Sequence, residues 1–239
     1  MLPAAMQSKG ERPPVAVADG IWTFHHADFA TGGLRIGTRS NLLRLADGTL
    51  ALHSPGPLAD AEIASIRGLG AVSMILAPNL MHHLFLPRVV AAFPDARVLA
   101  SPGVAAKQPS VRVDEVLADA TPRGLAGVAD MLVLDGSPRL AERVFFVPAS
   151  QTLIAVDLAF HLHDMTGLTR LAMWINGAND RFAVTRLART QFIADHAAAG
   201  RSVARMLDAW DIRTIVVSHG DVLETGGRAA LRAAWAFAM

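Results

Sequence analysis

Apolar and polar residues fall into short alternating or clustered runs along this chain, and the runs form two similar halves. In the first third, residues 21–24, 41–45 and 49–53 are apolar or alternating stretches that predict strands. Asp47-Gly48 between the last two is a hairpin signal. Over 58–69 the spacing of Ile63, Ile66 and Leu69 predicts a helix, with Asp60 as its cap and Gly70 at its end. A strand over 72–77, a helix over 84–93 and a strand over 97–100 follow. The second half has strands at 131–134, 144–147 and 152–156, with residues 148–150 as a tight connection. A long helical stretch then runs over 184–210 with Gly200 as its break, followed by a strand at 213–217 and a helix from 228 onward. Two halves that each mix hairpins with strand–helix units predict an α/β (α+β) chain, a four-layer αββα sandwich of two sheets with helices outside.

Composition agrees with a well-buried protein: 239 residues, 52% hydrophobic and 18% charged. A net charge of +1 and scattered basic residues point away from nucleic acid and from an anionic membrane. The uncharged stretch 68–87 carries Pro78, Asn79, His82 and His83 in its middle, which suits a strand-to-loop transition rather than a membrane span. With no cysteine, disulfides, thiolate metal sites and cysteine nucleophiles are excluded. Residues 1–14 lack the apolar core of a signal peptide and read as a disordered lead-in before one domain at 15–239, and the expected location is cytoplasmic. The partners expected are a small-molecule substrate or ligand and, at most, a second copy in a homodimer.

The chemistry concentrates at strand ends. His82 and His83 follow the apolar run ending at Ala77, Asp157 follows Leu153-Ile154-Ala155-Val156, and His219 follows Ile215-Val216-Val217-Ser218. Adjacent histidines in a turn can both face one point, and imidazole with carboxylate suits one divalent metal, zinc first, iron or manganese as alternatives. Each residue also has a plainer reading, as a loop histidine or a cap. Asp221 fits either an orienting partner for an imidazole or a cap. Asn79 fits a hydrogen bond at the site mouth or turn formation. His53 ends a strand on the same rim, and His161 and His163 alternate after Asp157, so these three are candidate proton carriers as well as candidate structural histidines. His25 and His26 read as loop residues, and His196 as a mid-helix residue. No nucleophile elbow, phosphate loop or dinucleotide fingerprint is present.

The order of these parts resembles the metallo-β-lactamase superfamily over about residues 15–239. The segments 41–50, His53-Ser54-Pro55, Ala77-Pro78-Asn79 with His82-His83, and Ser218-His219-Gly220-Asp221 are similar to a divergent domain family of unknown function within it. That superfamily's turn reads Thr-His-x-His-x-Asp-His, which places Ala77, Pro78, Leu80, His82 and His83 at its named positions. The resemblance implies that the first metal's ligands are lost and that His82, His83, Asp157 and His219 retain the second metal's positions. The function it implies is a mononuclear metal-dependent hydrolase of a small ester, lactone or thioester, with His53, His161 or His163 moving protons. Two rivals stand beside it. One is a non-catalytic binding or assembly module, because Pro78 and Leu80 occupy ligand positions. The other is a single-iron, oxygen-dependent enzyme, because two histidines and a carboxylate can form an open triad.

Overall fold

The computed structural model describes residues 13–239. Of the lead-in expected over 1–14, residues 1–12 lie outside the described residues. The first half runs β1 (Val15–Ala18), β2 (Ile21–His26), β3 (Ala30–Thr31), β4 (Leu34–Arg35), β5 (Thr38–Arg44), β6 (Leu50–His53), α1 (Asp60–Leu69), β7 (Val72–Ala77), α2 (Leu86–Ala92), β8 (Arg97–Ala100), α3 (Val104–Lys107) and β9 (Glu115–Val116). The second half runs β10 (Asp130–Val133), β11 (Arg143–Val147), β12 (Thr152–Ile154), β13 (Phe160–Leu162), α4 (Gly167–Ile175), β14 (Arg181–Ala183), α5 (Arg186–Gln191), α6 (His196–Ala209), β15 (Thr214–Val216) and α7 (Gly227–Trp235).

Strands β1-β2-β5-β6-β7-β8-β9 form one sheet, antiparallel from β1 to β6 and parallel from β6 to β9. Strands β10-β11-β12-β15 form the second, whose last pair is parallel. The period-2 alternation of strand side chains builds the four layers. Leu50 and Leu52 of β6 and Ile75 of β7 pack outward against Ile63 and Ile66 of α1 and Val89 of α2. Their neighbours Ala51, Met74 and Leu76 turn inward, onto Phe145, Val147, Ile154 and Val216 of the second sheet. On that sheet's far side, Val144, Phe146, Leu153 and Ile215 meet Val203, Met206 and Leu207 of α6 and Trp235 of α7. Each fully buried Leu, Ile or Phe in these layers contributes about 1.5–3 kcal/mol relative to exposure. The αββα sandwich expected from the sequence is therefore present, with its site at the rim where the parallel strands end.

Several local expectations are corrected. Asp60 is the first helical residue of α1, not its cap; the Glu62 carboxylate instead accepts the Ala59 N–H at 2.7 Å. The stretch 184–210 is two helices, broken at 192–195 rather than at Gly200. There the Gly136 carbonyl accepts the N–H groups of Ala194 and Asp195, and the Asp195 carboxylate caps α6 by accepting from Ala198. Gly200 sits inside α6 because a Cβ there would lie 2.0 Å from the Ala238 carbonyl oxygen. His25 and His26 belong to β2 rather than a loop, and His196 starts α6. Helix α4 gave no core-facing pattern, since Leu168, Leu171, Trp174 and Ile175 are all exposed. No helix among the described residues is long and apolar enough to cross a membrane.

Candidate metal centre

Strands β12 and β15 are parallel neighbours, with Ile154 opposite Val216, so the residues just beyond their carboxyl ends meet. Asp157 and His219 are those residues. The turn after β7, in the other sheet, brings His82 to the same point. His219 Nε2 lies 3.2 Å from Asp157 Oδ1, and His82 Nε2 lies 3.5 Å from Asp157 Oδ2. These three residues are the one group among the described residues whose donor atoms converge closely enough to hold a metal, all within 4.8 Å of one another.

Each donor is held from behind. Gly37 accepts a hydrogen bond from His219 Nδ1 at 2.8 Å, which leaves Nε2 as the free donor, and Phe160 stacks on the imidazole at 4.9 Å. Ser54 Oγ sits 3.0 Å from His82 Nδ1. Asn79 is fully buried beneath the site, not at its mouth. Its Oδ1 accepts the N–H groups of Met81 and His82, which forms the turn, while its Nδ2 donates to Asp157 Oδ2 at 2.7 Å. Glu142, also fully buried, accepts the N–H groups of Val156 at 2.8 Å and Asp157 at 3.0 Å. Gly220, at φ +100°, is required by close approach, since a Cβ there would lie 2.0 Å from the His161 carbonyl oxygen.

Burial alone would raise the Asp157 carboxyl, but the charge of His82 and the hydrogen bonds from both histidines outweigh it and hold it well below the usual range. Glu142 moves the other way: burial first, then the neighbouring Asp157 charge, push it up to about 8. The same opposition of two adjacent carboxyls keeps a negative charge on the one that faces the histidines.

Of the other sequence candidates, none joins this group. His83 faces α3, where Gln108 Nε2 lies 3.0 Å from its Nδ1. Residues 81–85 turn tightly into α2, so consecutive side chains diverge, contrary to the expected four-residue set. His161 and His163 lie side by side as expected, but they face Asp221: His163 Nδ1 is 2.9 Å from its carboxylate and His161 Nδ1 is 3.1 Å from its carbonyl. Asp221 thus serves these two rings rather than His219. His163 and His25 line a second concavity, separate from the cavity described below. His53 is fully buried, its Nδ1 3.1 Å from Asn41 Nδ2 and its ring edge-on to Phe145. Glu142 and Arg39 were not singled out in the sequence and no local motif marks them, while Ser54 stands in the segment His53-Ser54-Pro55 with no role read for it.

Burial, and then the charge of His82, push the His53 pKa from 6.5 down to about 3, so this ring is neutral in the fold. A depressed folded value contributes stability that is complete above pH 6.5 and is lost as pH falls toward 3. Urea unfolding of the metal-free protein is therefore expected to weaken on acidification more steeply in the wild type than in His53→Gln. The gap between them should reach about 3 kcal/mol at pH 4. Parallel acid limbs would show that His53 is not the responsible group.

The three donors form part of the wall of a cavity of about 490 Å³. The β3–β4 hairpin contributes Phe29 and Leu34, α4 contributes Met173, and the start of α5 contributes Leu187 and Ala188. Met81, Leu84 and Leu187 line it while remaining solvent-exposed, so its mouth is apolar.

No protein-family model and no curated protein sequence matches the chain. Its fold matches solved structures over nearly full length. A metallo-β-lactamase from Pontibacter korlensis is 13% identical at a TM-score of 0.64, covering 94% of this chain and 97% of that one. The FIM-1 enzyme from Pseudomonas aeruginosa, in its mono-zinc form, is 11% identical at 0.66, covering 97% of each. A metallo-β-lactamase from Erythrobacter litoralis is 16% identical at 0.65, covering 94% and 95%. The chain has the metallo-β-lactamase fold.

Proposed function

From that fold we propose that the chain is a mononuclear metal-dependent hydrolase of a small ester, lactone or thioester. The observation that carries this reading is the convergence of His82, Asp157 and His219 at the wall of an apolar-mouthed cavity. The donor set fits a divalent metal, zinc first. Two imidazole nitrogens lie within 3.5 Å of carboxylate oxygens, and the hydrogen bond to Gly37 frees His219 Nε2 for ligation. A metal bound there would polarise a carbonyl and lower the pKa of a water toward about 7. The chain's own residues hold the donors, and the apolar wall excludes water from the substrate. Among the described residues no histidine but His82 and His219 lines the cavity, so proton movement falls to solvent entering at the mouth.

Elemental mass spectrometry of untagged protein tests the reading. We expect one divalent metal per chain, retained in His83→Ala and weakened by more than about 100-fold in His82→Ala, Asp157→Ala and His219→Ala. A metal-free wild type after soaking with zinc and iron would leave a binding module in place of an enzyme. Two histidines and one carboxylate are also the donor set of single-iron oxygenases, so iron as the bound metal, with oxygen uptake, would favour that second reading.

A further inference from the structure

Resting on the hydrolase reading, the geometry points to a neutral acyl substrate with a medium-length apolar chain, and against anionic substrates. Two features of the cavity carry this. The first is its wall: Phe29, Leu34, Ile36, Phe85, Met173 and Phe192 come from four separate segments and converge on one volume of about 490 Å³. Such a lining rewards each methylene removed from water. The second is its charge. Among the described residues no lysine or arginine lines the cavity, and the one carboxylate there is Asp157, already committed to His82 and His219. A substrate carboxylate lying along the apolar part of that wall, away from the His82–Asp157–His219 group, would be desolvated with no lysine or arginine to pair it, which is costly. Penicillins and cephalosporins carry such a carboxylate. A neutral ester, lactone or thioester meets no such penalty, since its carbonyl can face the His82–Asp157–His219 group while its chain lies along the Phe and Met side chains toward the mouth at Leu84 and Leu187. In the reaction, water adds to the carbonyl carbon and the acyl C–O or C–S bond breaks. One water proton leaves with the alcohol or thiol, and the acyl chain departs as a carboxylic acid that ionises in solvent.

Binding is read first without chemistry. Metal-free full-length protein is loaded with the neutral fluorescent probe N-phenyl-1-naphthylamine, which is then displaced by methyl ketones of increasing chain length, the uncleavable analogues of methyl esters. Affinity is expected to rise about three- to four-fold per methylene until the cavity is full, with alkanoate anions of equal length at least about ten-fold weaker. Leu34→Arg, on a short, partly exposed strand, should reverse the preference toward alkanoates, and Ala188→Phe should shorten the best chain. The thermal unfolding of each variant is followed in parallel, and the wild-type chain series stands on its own if a variant does not fold. Zinc-loaded protein is then assayed on p-nitrophenyl acetate and octanoate. Chain-dependent ketone binding without hydrolysis would support the acyl-chain cavity and sink the hydrolase reading. Hydrolysis with no chain-length preference, or alkanoates binding as tightly as ketones, would overturn this inference and leave the hydrolase reading standing.

Discussion

Glu142→Ala is expected to destabilise the protein by about 3–5 kcal/mol, because two buried backbone N–H groups, those of Val156 and Asp157, lose their only acceptor. The loss falls on the segment that carries Asp157, so metal binding should weaken along with folding. Glu142→Gln keeps one acceptor oxygen and should cost less, about 1–2 kcal/mol. The pair also has a pH consequence. Burial and the Asp157 charge raise Glu142 from 4.5 to about 8 in the fold. A raised folded value contributes stability that is complete below pH 4.5 and is lost as pH climbs through 8. Between 4.5 and 6.5 this slope opposes that of His53, so the unopposed window runs from about pH 6.5 to 8. Urea unfolding of metal-free protein at both ends of that window should show the wild type weakening and Glu142→Gln nearly flat. Equal slopes in the two proteins would mean that Glu142 is already ionised in the fold.

The sandwich could be read in the sequence because its two sheets each bury both faces, and strands such as residues 72–77, apolar but for Ser73, then stand out as runs bounded by turns. Asp157 and His219 were legible for the same reason: each ends such a run, and parallel strand ends gather at one rim. His83 was misjudged because adjacency in sequence does not give convergence; Asn79 shapes the turn so that His82 enters the site and His83 leaves it. Glu142 was invisible because its role comes from a partner 15 residues away, and the segment holding Ser54 was noted without any spacing to announce its contact with His82, 28 residues on. Helix α4 was missed since its large apolar residues point outward, the reverse of the pattern that marks a core-facing helix.

Arg39→Ala should cost about 3–5 kcal/mol and should also loosen the candidate metal site from the opposite sheet. Arg39 lies on β5, yet its buried guanidinium donates to the Val217 carbonyl at 3.1 Å, to the Gly220 carbonyl and to Thr23 Oγ1 at 3.1 Å. Two of those acceptors flank His219, so one side chain of the first sheet fixes the strand end that carries a donor of the second. Burial lowers its pKa to about 10, partly offset by Asp221, so it stays charged at neutral pH. Alanine would strand three acceptors and free the His219 segment to shift. Lysine would restore the charge but not the fork that reaches both carbonyls, so Arg39→Lys should recover little. Zinc affinity measured by competition with a chelator is expected to fall about 10–100-fold in both variants. A stability loss with unchanged zinc affinity would confine Arg39 to joining the two sheets, and the hydrogen bond from His219 Nδ1 to Gly37 would then be what positions that ring.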